Sequence, residues 1–187
     1  IKKLMPVWIN AAENMHHSDV LARSFGILSL DLVAVFDQRK PFLKKHEIDQ
    51  LWRIAVFGIM QPQDWRGWDE KIGWVHITAH SADLIKTLSS HPEISLQQQH
   101  DFFDAIESSL NTAPRVFVFA EMERLSDAVI ALQQRKDFSG PAWTSLLKRL
   151  NSLDQGFEGV NPKPLQYIVK RNANQFLAFV SWKENKK

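Results

Sequence analysis

Residues 64–84 read DWRGWDEKIGWVHITAHSADL, and how this stretch is assigned decides what fold the chain can have. It holds three Trp, two Gly, two His and one Arg within 21 residues. At about 100° per residue, His76, His80 and Asp83 fall on one narrow arc with Gly73 and Thr87. Trp74, Ile77, Leu84, Ile85 and Leu88 group on a second arc about 120° away, the pattern of a core-facing stripe. This predicts a helix over 70–89 with Asp69 as its N-cap and Glu70 favourable to its dipole, broken by His91-Pro92. Between Ile72 and Ile85 there is no Lys, Arg or Glu. A helix without solvated charges is packed on more than one side, so His76, His80 and Asp83 are expected to line a cleft or lie buried.

Outward from this helix the same periodicity continues. Asp19 opens an apolar-periodic run through Phe25, Leu28, Leu32 and Phe36 that stops at Lys40-Pro41. A second runs from about His46 through Leu51, Trp52 and Ile59 and ends before Pro62, because the residue before proline disfavours helix. Ser95 caps a helix carrying Phe102, Phe103, Ile106 and Leu110. The next is expected through Phe119, Met122, Leu125 and Leu132, with 116–120 (VFVFA) read as its start for want of a strand partner. Gly140-Pro141 starts a sixth with Trp143, Leu146 and Leu150. The turn-rich loop 154–164 precedes a last helix over 165–182. Short connections make successive helices antiparallel neighbours. Helix-pair starts near 19, 70 and 117 are spaced by about 50, loosely like helical solenoids, with no self-similarity behind the spacing. The expected fold is all-α: antiparallel helix pairs in an αα-superhelix or irregular, HEAT-like multi-helix array.

At 187 residues the chain suits a single helical domain over 1–187. It opens on Ile1 rather than Met, so an N-terminal segment is expected to precede it, making it the C-terminal part of a longer chain. With no cysteine, disulfides, thiolate catalysis and Cys-based zinc sites are excluded. A cytoplasmic setting is expected, and no membrane partner, since no apolar run reaches the ~20 residues a spanning helix needs. The net charge of +2, with its Lys and Arg scattered, makes nucleic acid a poor fit as partner. Seven Trp stand against one Tyr, and most of these indoles are expected to be helix-packing anchors.

Two His at i and i+4 with a carboxylate at i+7 give three ligands on one face, His76, His80 and Asp83, a spacing that suits a divalent, zinc-like metal. It is not H-E-x-x-H, because Ile77 follows His76. The same residues equally suit a metal-free polar pocket or a structural hydrogen-bond network. Gly67 implies a positive φ or a close backbone approach that turns Arg66 towards a carboxylate, with Asp83 as the expected internal partner. Glu121, Glu123, Arg124 and Asp127 form i, i+3 pairs that read as a solvated ladder. Alternatively their helix faces the His helix and supplies Glu121 or Glu123 as a base. His16, His17, His91 and His100 are expected at the solvated surface.

Asp64-x-Arg66-Gly67-Trp68, then Gly73-Trp74-x-His76-x-x-Ala79-His80-x-x-Asp83-Leu84, resembles the motif of an uncharacterised bacterial family, domain of unknown function 2785. Glu121-x-Glu123-Arg124-Leu125 looks like its second motif. The likeness covers about 50–135 well and the flanks loosely; Ser81 and Ile85 are mild departures. It implies a helical fold and that Arg66, His76, His80 and Asp83 are family features, and it carries no activity.

Two functions of different class follow. The leading one is a binding module whose groove, formed by Asp64, Arg66, Trp68, His76, His80, Asp83 and Arg124, takes a small polar molecule or a peptide. The alternative is a metal-dependent hydrolase in which His76, His80 and Asp83 hold the metal, Glu121 or Glu123 activates water and Arg66 steadies an oxyanion.

Overall fold

Helix starts and stops follow the local chemistry of the chain. The computed structural model describes residues 1–14, 19–153 and 163–186; the expectations for His16, His17 and most of the 154–164 loop lie outside them. A single 3-10 turn, Lys2–Leu4, leads into α1 (Met5–Glu13), which the periodicity did not reveal. Then come α2 (Val20–Arg39), α3 (Lys45–Met60), α4 (Ile77–Leu88) and α5 (Leu96–Thr112), followed by α6 (Glu121–Leu132), α7 (Gly140–Ser152) and α8 (Pro164–Glu184). Asp19 caps α2 by accepting from the Ala22 N–H at 3.0 Å. Ser95 and Gln98 form a capping box on α5, which satisfies two of the amide donors that a helix start leaves open. Pro occupies the first turn of α7 and α8, where its missing N–H costs nothing.

The helices stack in two layers. In one, α2, α4, α6 and α8 are neighbours in turn; in the other, α3, α5 and α7 are. The α1 helix packs on α2, and α3 lies across α4. The all-α, HEAT-like array is as expected, but the packing of successive helices is not: α1–α2 and α3–α4 are close neighbours, whereas from α4 on each helix packs chiefly on the next but one. One apolar core runs through it from Met5 to Val180, with Trp52, Phe102, Phe103 and Phe176 its largest fully buried side chains. Burying each such side chain stabilises the fold by roughly 1.5–3 kcal/mol.

As expected, most indoles anchor the packing: Trp52 and Trp143 are buried and Trp8 and Trp65 pack against the core, while Trp68, Trp74 and Trp182 are exposed. Two expectations about where helices start are corrected. No helix begins at 70, because 68–74 is a hairpin. In it β1 (Trp68–Asp69) pairs antiparallel with β2 (Gly73–Trp74), Trp68 facing Trp74 and Asp69 facing Gly73. Asp69 therefore caps a turn, accepting from the Lys71 and Ile72 N–H groups at 3.0 and 3.2 Å. Gly73 takes φ +82°, which a side chain would resist. Likewise α6 starts at Glu121, and 116–120 is neither strand nor helix.

Candidate functional site

The hairpin extends towards α4 through two further backbone bonds, Val75 N–H to the Gly67 carbonyl at 2.9 Å and His76 N–H to the Arg66 carbonyl at 3.2 Å. Gly67 is required by close approach: a Cβ there would lie 2.3 Å from Glu121 Oε1 and 2.6 Å from Phe119 Cβ. The hairpin is thereby pressed against the start of α6. Arg66 holds it from the other side, clamped between Asp64 (Nη2–Oδ2 2.5 Å) and Asp69 (Nη1–Oδ2 2.5 Å). The expected Arg66–Asp83 pair does not form, because two nearer carboxylates occupy the fork. Burial would raise the Asp64 carboxyl, but the bonds from Arg66 outweigh it and hold it below the usual range.

Between the starts of α4 and α6 opens a cleft of about 550 Å³, lined by Phe25, Trp74, His76, His80, Val118, Phe119, Ala120 and Arg124. Its aromatic wall is continuous. The Trp74 ring lies 4.9 Å from that of Trp68, 4.5 Å from that of His76 and 6.0 Å from that of Phe119. His76 and His80 meet edge to face at 5.8 Å, and Phe25 lies 5.7 Å from His80. Trp74 thus belongs to the cleft and not to the core stripe.

Both helix starts that frame the cleft are unusual. His76, at the N-cap of α4, has φ 46° and ψ 29°, and Ala120, at the N-cap of α6, has φ 68° and ψ 13°. A left-handed backbone is uncommon for non-glycine residues, and neither cap makes a side-chain cap bond. His76 therefore sits at the threshold of α4 and not on its face, so the helical wheel that grouped it with His80 reached the right neighbours through the wrong geometry.

The imidazoles are buried, His76 at 7% and His80 at 8% exposure. Burial pushes the His80 pKa down to about 4, against the pull of the Ser24 carbonyl, and the charges of His76 and Arg124 add to the shift. His76 is lowered by burial too, opposed by the Phe119 carbonyl and aided by Arg124. Both rings are neutral near pH 7. His80 Nδ1 stands 2.9 Å from Ser24 Oγ and 3.2 Å from the Ser24 carbonyl, which can only accept. Nδ1 therefore carries the hydrogen, and the lone pair of His80 falls on Nε2. His76 Nε2 is buried with no hydrogen-bond partner.

The other sequence candidates have separate duties. Asp83, half-buried on α4, is bonded to Arg124 of α6, and burial pushes its carboxyl up against that cation's pull. Arg124 therefore joins two helices, and the expected ladder along α6 does not form: Asp127 is bonded to Lys183 of α8 at 2.6 Å. Glu121 is buried beneath Gly67, accepting from the Phe119 N–H at 2.8 Å, with its carboxyl raised by burial. Glu123, Asp64, Arg66 and Trp68 stand outside the lining of the cleft. Among the described residues, no three His, Asp or Glu side chains come together as a metal-ligand group. His91 is not a solvated surface residue; its ring is tucked 3.6 Å from Asp37, and its Nδ1 accepts from the Glu93 N–H. Phe25, Val118, Phe119 and Ala120 were not foreseen as cleft residues; Phe25 fits the apolar periodicity of α2, yet its side chain is exposed and faces the cleft.

With this geometry in place, comparison with known families gives one result. The family model described as "Protein of unknown function (DUF2785)" matches residues 11–180. Comparison with the curated proteins and with the solved structures returns no match.

Proposed function

The chain belongs to the DUF2785 family, whose description assigns no activity, and from the cleft itself we propose a helical binding module. Its ligand is a small, flat polar molecule with a hydrogen-bonding edge, or a peptide segment that presents one. The observation that supports this best is His76 Nε2, a buried ring nitrogen without a hydrogen-bond partner on the wall of an aromatic cleft. An unpaired buried polar atom costs about 1–3 kcal/mol, which a complementary group on the ligand would recover. Trp74, Phe25 and Phe119 offer ring faces and edges for a flat group. Two left-handed caps on neighbouring helices are a further cost, of order 1–3 kcal/mol each, of the sort that functional sites retain.

The test uses a set of small heterocyclic amides screened by saturation-transfer NMR against the wild type, His76→Asn and His80→Ala. Asn tolerates the left-handed backbone, so His76→Asn removes the imidazole while sparing the turn. Fragments that bind the wild type and are lost from both variants support the reading. Fragment binding unchanged in both, with a lowered Tm, would assign the imidazoles a purely structural role and overturn it.

A further inference from the structure

Ile77, the residue after His76, lines a different cleft, of about 330 Å³, between α1, α2 and α3. Its walls include Ile27, Ile54, Phe57 and Ile77, and Arg23 lies among them. Arg23 is 6% exposed. Its Nη2 donates to the Pro62 carbonyl at 2.9 Å, while its Nε is buried with no partner. Asp64 acts on it at a distance, but both Asp64 oxygens are taken by Arg66. Glu13, which also lines the cleft, accepts from Gln50 Nε2 at 3.0 Å. The guanidinium is therefore a buried cation with one neutral partner and no carboxylate bonded to it among the described residues. Every other arginine drawn inward here, Arg66, Arg124, Arg135 and Arg149, has an ion-pair partner.

We propose that this cleft is a second binding site, for a small monocarboxylic acid with an apolar tail, and that Arg23 anchors the carboxylate. Buried charges are stable when paired and hydrogen-bonded, and burial already works against the charge of Arg23. A guanidinium fork matches a carboxylate in two parallel bonds. The aliphatic and aromatic walls then take the tail, and the volume lies at the small end of the ligand-pocket range of ~300–1,000 Å³. A dianion would add a charge for which the cleft has no second buried cation, since Arg53 is exposed. The inference does not rest on the function proposed for the histidine cleft.

The experiment titrates isotope-labelled protein with hexanoate, hexanol and hexylamine, following the Arg23 Nε–H resonance and the Tm. Hexanoate is expected to shift that resonance saturably and to raise the Tm, with hexanol binding about tenfold or more weakly, as loss of a charge-assisted bond implies. Hexylamine is expected not to bind. Arg23→Lys keeps the charge but loses the fork, and should weaken hexanoate about tenfold or more. If that variant does not fold, the wild-type comparison of hexanoate with hexanol still decides. Equal binding of the acid and the alcohol, no binding of hexanoate, or hexanoate shifts at Trp74 and His76 in place of Arg23 would each overturn the proposal.

Discussion

His80 resists acquiring charge, and that resistance has a sign. Its folded pKa of about 4 lies below its ordinary value of 6.5, so between these the unfolded chain binds more protons. The contribution to stability is complete above pH ~6.5 and is lost as the pH falls towards 4; the shift corresponds to about 3 kcal/mol. Asp83 and Glu121, raised by burial, act in the opposite direction. The His80 effect is isolated by urea unfolding of wild type and His80→Gln from pH 4 to 7. The stability difference in favour of wild type is expected to grow with pH across that range. A difference independent of pH would mean that His80 is protonated equally in both states.

At the scale of elements, the crossing of α3 and α4 is set by Gly58 and Ser81. A Cβ on Gly58 would lie 2.2 Å from Ser81 Oγ and 3.4 Å from Ser81 Cβ. Gly58→Ala is expected to cost about 1–3 kcal/mol in urea unfolding. Combining it with Ser81→Ala should restore most of that, since the hydroxyl makes the severe clash, Ile27 Cδ1 at 3.3 Å is the movable end of a side chain, and Ser81 Oγ has no partner to lose. A double variant no better than the single one would place the strain in the backbones. These two helices also mark what a sequence can reveal. The body of α4 was legible because it lacks charges between Ile72 and Ile85, and nine of its residues are buried. Its first turn was not. Trp74 and His76 satisfy helical spacing, while the hairpin strands are two residues each, too short for any alternation to register. The glycines at 67 and 73 were the true signals: one marks a close approach and the other a positive φ. The cleft was foreseen in its histidines and Arg124 and missed in its far wall, because the 118–120 segment reads as helix until Ala120 turns left-handed.

Across the whole molecule, the last helix holds the cleft from behind. Asn172 of α8, fully buried, accepts from the Phe117 N–H at 2.9 Å and donates to the Arg115 carbonyl at 3.0 Å. It fixes the segment that delivers Phe119 and Ala120 to the cleft, across the layer of α6. Asn172→Ala leaves two backbone groups unpaired, and a loss of about 2 kcal/mol or more is expected in thermal unfolding. Fragment binding at the histidine cleft should weaken with it at temperatures where the variant is folded. Unchanged binding would show that the hairpin and α4 form the site without help from α8. The all-α class was readable from periodicity, but the stacking of every second helix and this long-range tie were not, since nothing in one chain position announces a partner more than fifty residues away.

The paired indoles of the hairpin have a photophysical consequence. Trp68 and Trp74 lie 4.9 Å apart with their planes at 73°, close enough and skewed enough for their excited states to mix. The protein should therefore show an exciton couplet in its circular dichroism that Trp68→Phe abolishes. It would report the hairpin alone, so its melting could be timed against that of the helices without any added label.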